Sequence, residues 1–456
     1  MRKFLPLLLL AACATPVKYE RPPVELPAAW KETAPRYPED GRWWLIYADG
    51  SLDKLVDEAT KQNADLLIAL ARVDEARALL RESQSFFFPR VDAQASSTRQ
   101  QISRRNATSF PGLPREFNQH RAGLNVSYEV DLFGRLRSGA AAARAELQAS
   151  EAAREAVRLA LAAEVTKSYY SLQSLAQQVE LTRQTLALRE DALSLQRKRF
   201  DAGVISDFEL RQLEAEAAVV RAQLPPLEAE REREEAALSV LLGRTPKDVF
   251  DGSVVLGASE QKLIAPVLPA GMPSELLLRR PDLVEAERSL AAANARVAVA
   301  RSEMFPSIVL TGSLGSESRS LSDLFSGPAA VWALGAAITA PIFAGGRLEA
   351  RVDAAAARER QALVGYQQTI RNAFGEVRTA LVSQARARES YEAETAREEA
   401  LSQSLRLARL RYQNGVSSQL DVIDAERGLL AARIARIDAL RQHRAAIADL
   451  FRALGG

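Results

Sequence analysis

Cys13 is the only cysteine in the chain, and it directly follows Leu10-Ala11-Ala12. Ahead of it lie the basic start Met1-Arg2-Lys3 and an apolar stretch from Phe4 to Leu10 broken only by Pro6. That stretch is too short to span a bilayer, so residues 1–12 read as a signal peptide ending in a lipobox. The chemistry predicted is acylation of the Cys13 thiol and of the new N-terminus. The bland alternative is a cleavage site that happens to contain a cysteine, which the solitary placement of the thiol disfavours. Each buried methylene of such a lipid contributes about 0.8 kcal/mol, so two or three acyl chains hold a protein firmly. Ala14 stands where bacterial lipoproteins kept at the inner membrane usually carry aspartate, which favours delivery to the outer membrane.

Other reactive constellations are scarce. His120 and His443 lie far apart with no ligand spacing around them, so no metal site is expected. One cysteine excludes a disulfide framework within the chain. No glycine-rich phosphate loop follows a strand and no G-x-S-x-G elbow occurs, so the reading is not an enzyme and needs no cofactor beyond the lipid. The carboxylates worth weighing are Glu209, Asp421 and Asp424. Ser206-x-x-Glu209 and Ser418-x-x-Asp421 have the spacing of a capping box, and an acid in the first turn suits the helix dipole. Capping alone would account for Glu209 and Asp421. Asp424 lies about one turn beyond Asp421 on the same face and needs another reason.

Lys plus Arg number 60 and Asp plus Glu 58 among 456 residues, which leaves no basic tract for nucleic acid. Removing residues 1–12 takes Arg2 and Lys3 with it and balances the charges. Aromatics are only 6%, while Ala, Leu, Arg and Glu abound, as in long helices with narrow seams.

The chain repeats itself at a spacing of about 212 residues. Asn63-Ala64-Asp65-Leu66 returns as Arg280-Pro281-Asp282-Leu283, and Phe88-Pro89 as Phe305-Pro306. Leu132-Phe133-Gly134-Arg135 returns as Ile342-Phe343 followed by Gly346-Arg347, and Arg199-Phe200-x-x-Gly203-Val204 as Arg411-Tyr412-x-x-Gly415-Val416. The predicted order is a signal peptide 1–12, an extended Pro-rich segment 13–50, a helix 51–88 and two strands with an outward loop 89–132. A long helix, turn and return helix follow over 133–243, then a connecting segment 244–274. The second copy has a helix 275–305, two strands 306–343 and a long helix, turn and return helix over 344–456. The proline-free stretches from Arg135 and Arg347 would each reach about 100 Å as helices. Pro225-Pro226 is expected to interrupt the first return helix.

Between the helices the period falls to two. Ala122, Leu124, Val126, Tyr128 and Val130 alternate with Arg121, Gly123, Asn125, Ser127 and Glu129, and 307–316 repeats the scheme. Residues 329–342 alternate Trp332, Leu334 and Ile338 with small residues, while 91–98 is the weakest strand. A half-buried soluble sheet would also alternate, and 329–345 has a rival reading as a transmembrane helix, which its Ala, Gly and Pro341 make a poor one. An apolar face opposite a small, polar one, over about nine to eleven residues, suits a barrel strand with lipid outside and water inside. Four strands cannot close, and an open edge in lipid costs several kcal/mol per unpaired group. Several chains must therefore share one barrel: two would give eight strands, three would give twelve.

The chain resembles the outer-membrane factors of tripartite efflux and secretion systems, the TolC/OprM family, in its NodT-type lipoprotein branch. The residues that carry this are Tyr128-Glu-Val-Asp-Leu-Phe-Gly-Arg135, Arg279-Arg-Pro-Asp282, Met304-Phe-Pro-Ser307, Ala340-Pro-Ile-Phe-Ala-Gly-Gly-Arg347, Leu241-Leu-Gly-Arg-Thr-Pro246 and Gln419-Leu-Asp-Val-Ile-Asp-Ala425. The resemblance implies a mainly α fold with a membrane β-barrel: a homotrimer with twelve strands above a twelve-helix tunnel. Its implied partners are a periplasmic adaptor and an inner-membrane pump of the resistance-nodulation-division type, in the bacterial outer membrane, with small-molecule efflux as the task. It further implies that Asp421 and Asp424 ring a periplasmic gate, with Tyr412 just before the turn. Glu209, the counterpart in the first copy, completes the expected gate set. Opening is expected as a shift of the return helices near Gly203-Val204 and Gly415-Val416, where valine with glycine packs lightly. Arg411 is a candidate to offset the carboxylates. Ser417 and Ser418 depart from the basic residue some members carry there, so different locking contacts are expected. The competing readings are a protein-secretion channel and a soluble periplasmic coiled-coil adaptor.

Overall fold

The computed structural model describes residues 19–22, 41–103, 115–252, 254–257 and 279–456. Helices dominate, with one antiparallel sheet. A 3-10 helix at Trp43–Tyr47 precedes α1 (Gly50–Gln62) and α2 (Ala64–Ser85). Then come β1 (Arg90–Gln101), β2 (Glu116–Val130), α3 (Arg135–Asp201), α4 (Asp207–Leu241) and the short α5 (Pro246–Asp251). The second copy has α6 (Pro281–Ser302), β3 (Ser307–Ser318), β4 (Ala330–Thr339), α7 (Arg347–Gln413) and α8 (Gln419–Leu454). Both long helices, α3 and α7, have 67 residues, as expected of two copies of one design.

The chain divides into two compact units. The first gathers the sheet and the helix segments of residues 72–151 and 285–367. Its strands pair in the order β1-β2-β3-β4, so among the described residues β1 and β4 are open edges. Asp131 ends β2 and caps α3, its carboxylate accepting from the N–H groups of Leu136 (3.1 Å) and Arg137 (2.9 Å). Phe133 stacks on Phe305 with centroids 5.0 Å apart. Residues 19–22 lie against the same unit, where Arg21 Nε donates to Glu287 at 2.9 Å.

The second unit has a core of Trp43, Tyr47, Leu52, Val56, Val165, Tyr169, Leu172, Leu238, Leu242, Ile447 and Phe451. Trp43 stacks on Phe451 at 5.5 Å, and the Tyr47 hydroxyl donates to the Arg444 carbonyl at 2.6 Å. Asp49 accepts from Ser51 N–H at 2.9 Å to start α1 and from the Tyr169 hydroxyl at 2.8 Å. Arg280 is buried and donates to the Ala453 carbonyl at 2.9 Å, to Asp282 at 2.6 Å and to Glu376 at 2.8 Å.

Several sequence expectations are corrected. The helix expected over 51–88 breaks at Asn63, which ends α1 and whose side chain accepts from Asp65 N–H at 2.9 Å to start α2. The segment expected to be extended to residue 50 instead closes into a helical turn at Trp43–Tyr47, because those aromatics are core. Pro225-Pro226 do not interrupt α4. The carbonyls they strand, on Arg221 and Ala222, belong to exposed residues, so water can satisfy them. The strand expected over 329–342 ends at Thr339, ahead of Pro341, which has no N–H for the ladder. The stretch is a strand and not a membrane helix; among the described residues no helix is long and apolar enough to cross a membrane.

Candidate functional site

The two helical turns are built alike because their sequences match. Gly203 and Gly415 adopt φ of +71° and +70°, the left-handed region that closes a helix C-terminus. Val204 N–H reaches back to the Arg199 carbonyl at 2.8 Å, and Val416 N–H to that of Arg411 at 2.9 Å. Both valines stand exposed. A serine then starts the return helix. Glu209 N–H donates to the Ser206 hydroxyl at 3.3 Å, while Ser206 N–H at 2.8 Å and the Ser206 hydroxyl at 3.1 Å donate to the Glu209 carboxylate and hold its pKa below the usual range. Ser418 N–H donates to Asp421 at 3.0 Å in the same manner. Glu209 and Asp421 are therefore placed as caps in this geometry.

Asp424 and Tyr412 belong to ties between the two hairpins. The Tyr412 hydroxyl donates to the Gln419 side-chain oxygen at 3.1 Å, which also accepts from Gln196 of α3 at 3.3 Å. Asp424 is exposed and lies 3.4 Å from Arg427, the cation that meets it in place of the expected Arg411. Arg427 reaches on to Glu216 of α4 with two hydrogen bonds, one of 3.0 Å. Glu216 is only 5% exposed and also takes Arg189 of α3 at 2.6 Å. The result is a line Arg189–Glu216–Arg427–Asp424 that crosses from the first hairpin to the second. A cavity of about 260 Å³ adjoins it, lined by Leu188, Leu213, Ile423 and Leu429. Glu216 was invisible in sequence, since both of its partners come from other helices and no local spacing marks it.

The sheet is the second functional surface. Its register places Val91 beside Val126, Val126 beside Gly312 and Gly312 beside Leu334. Two residues along each strand, on the same face, Ala93, Leu124, Leu314 and Trp332 lie side by side. Neighbours in a row share a face, so the apolar residues of all four strands merge into one surface. Trp332 is 74% and Leu334 82% exposed. The other face carries Asp92, Asn125, Ser313 and Ala333 in one row. Gly123 and Gly315 face each other so closely that a Cβ on Gly315 would lie 2.4 Å from the Ala122 carbonyl oxygen. Cys13 lies outside the described residues.

An exposed apolar sheet face with open edges, carried between long paired helices, defines a membrane channel protein. The outer membrane efflux protein family matches residues 55–244 and 272–456, and the chain belongs to that family. It is 36% identical to outer membrane protein OprJ of Pseudomonas aeruginosa, covering 98% of this chain and 94% of that protein. It is 33% identical to the cation efflux system protein CusC of Escherichia coli O6:H1, over 98% and 96% of the two. Among solved structures, the Campylobacter jejuni CmeC outer membrane channel is similar with a TM-score of 0.90 at 28% identity, over 97% of this chain and 95% of that one. The chain is an outer-membrane component of an efflux system.

Proposed function

We propose that three copies pool their strands in one twelve-stranded barrel and their helices in a tunnel beneath it, making a passive conduit for small molecules. The observation that carries this reading is the sheet: an apolar face on which Leu124, Leu314, Trp332 and Leu334 stand exposed, and two edges with nothing paired to them among the described residues. In lipid such edges must be closed, and four strands are too few to close alone. The conduit needs no chemical step. An inner-membrane pump of the resistance-nodulation-division type would supply the energy, and a periplasmic adaptor would engage the helices. Acylation of Cys13 would add a lipid anchor on the periplasmic side.

The gate in this reading lies at the helix turns. Parting the hairpins breaks the Arg427 contact with Glu216, so Glu216 holds the closed state, while the already exposed Asp424 presents carboxylate to the pore. Three copies would bring Asp421 and Asp424 around one axis, and a carboxylate ring favours cations. Two measurements test this. Light scattering of detergent-extracted protein should give a trimer mass, and a stable monomer with intact β signal overturns the assembly. In planar bilayers Glu216→Gln should raise conductance, and an unchanged value removes Glu216 from the gate.

A further inference from the structure

The internal duplication fixes how neighbouring copies join. β1 and β3 correspond with an offset of 217 residues, Arg90 to Ser307, each following a Phe-Pro pair. Their ladder partners are Ser127 and Thr339, so β2 and β4 correspond with an offset of 212. The starts of the long helices, Arg135 and Arg347, give the same offset independently. Ile342-Phe343 therefore corresponds to Val130-Asp131, two residues away from the Leu132-Phe133 match suggested by sequence.

Within the chain, β2 of the first copy pairs with β3 of the second, with Val130 opposite Ile308 and Asn125 opposite Ser313. The same junction between molecules would join β4 of one chain to β1 of the next. We infer that this seam repeats the β2–β3 register, which sets Ile342 opposite Val91 of a second copy, Ile338 opposite Ala95 and Ala337 opposite Ser96. This rests on the shared-barrel reading above. Three observations support it beyond the duplication.

First, the face agrees: Ile338 belongs to the apolar face of β4 and Ala95 to the apolar face of β1, and a shift of one residue would turn one strand inside out. Second, exposed apolar side chains flank the two open edges at the same end of the sheet. Ile342 is 93% and Phe343 91% exposed after β4, and Val91 is 59% exposed at the start of β1. Third, the corresponding internal position is apolar on both strands, Val130 against Ile308. The seam thus buries at each junction what the chain alone leaves bare.

Cysteine pairs on the water-facing side of the seam read the register directly. Residues directly opposite lie within about 5.5 Å, which a disulfide spans, whereas a two-residue slip places them about 7–8 Å apart. The full-length chain would carry Ala337→Cys with Ser96→Cys, and in parallel Ala337→Cys with Gln94→Cys or with Thr98→Cys. Each set is oxidised in outer-membrane preparations and run without reductant, with the single variants as controls for Cys13. The inference expects the 337/96 pair to shift monomer into dimer and trimer bands, and the 337/94 and 337/98 pairs to stay largely monomeric. Stronger linking of either neighbouring pair overturns the register. A trimer by light scattering in which no pair links overturns the β4–β1 seam and leaves the shared barrel standing. A monomeric protein overturns the shared barrel itself.

Discussion

Glu216 shows why a residue's role depends on who meets it. Alone on a helix it would be one more surface acid, yet here two arginines from separate helices close on it. Removing one member of a buried ion pair commonly costs about 3 kcal/mol, because the other charge stays buried. Asp424 is the exposed end of that line, so its substitution should leave stability nearly unchanged and alter the pore. Asp424→Ala is expected to raise conductance and weaken block by divalent cations in planar bilayers, and unchanged block would take it out of the gate. The turn glycines are a cleaner conformational case. A Cβ added at Gly415 meets nothing within 4 Å, so Gly415→Ala isolates the cost of a left-handed φ. A loss of roughly 1 kcal/mol in chemical denaturation is expected, and no loss would mean the turn relaxes freely.

At the scale of elements, matched sequences gave matched hairpins, but the helices do not share the same neighbours. His443 lies buried in α8, its ring parallel to Tyr391 at 6.3 Å, with Arg388, Glu392 and Arg444 around it. Burial pushes its pKa below 6.5, and the Arg388 and Arg444 charges push the same way against Glu392. The unfolded chain thus takes up a proton that the folded chain refuses. The contribution of this group is fully present above the unfolded value of 6.5 and is lost as pH falls toward the depressed folded value. The melting temperature should therefore drop between pH 7 and pH 5 more steeply in the wild type than in His443→Leu. Equal slopes would place the acid sensitivity elsewhere. The helix α4 carries a different lesson: Pro225-Pro226 look like a break, yet exposure of the stranded carbonyls lets the helix continue.

For the whole molecule, the lipid is the solvent that decides the sheet. An arginine on the apolar face near mid-bilayer costs about 2–4 kcal/mol. Leu334→Arg should therefore reduce the assembled trimer in outer-membrane fractions, while Ala333→Arg, on the opposite face, should assemble and change only conduction. Equal loss from both would argue against lipid on the Leu334 side. The sequence by itself determined the duplication, the four strands, the long helices, both turns and the capping serines. All of these are written in local spacing, and local spacing is what periodicity and glycine chemistry report. It also marked Asp421, Asp424 and Tyr412 as residues of the turn. Only the tertiary structure decided that Asn63, where α1 gives way to α2, donates to the Leu241 carbonyl, and that Glu216 is buried between Arg189 and Arg427. It also set the strand register, which moved Ile342-Phe343 two residues from the sequence match. Those outcomes depend on groups far apart in the chain, and the distance between such groups is created by packing, which no local pattern encodes.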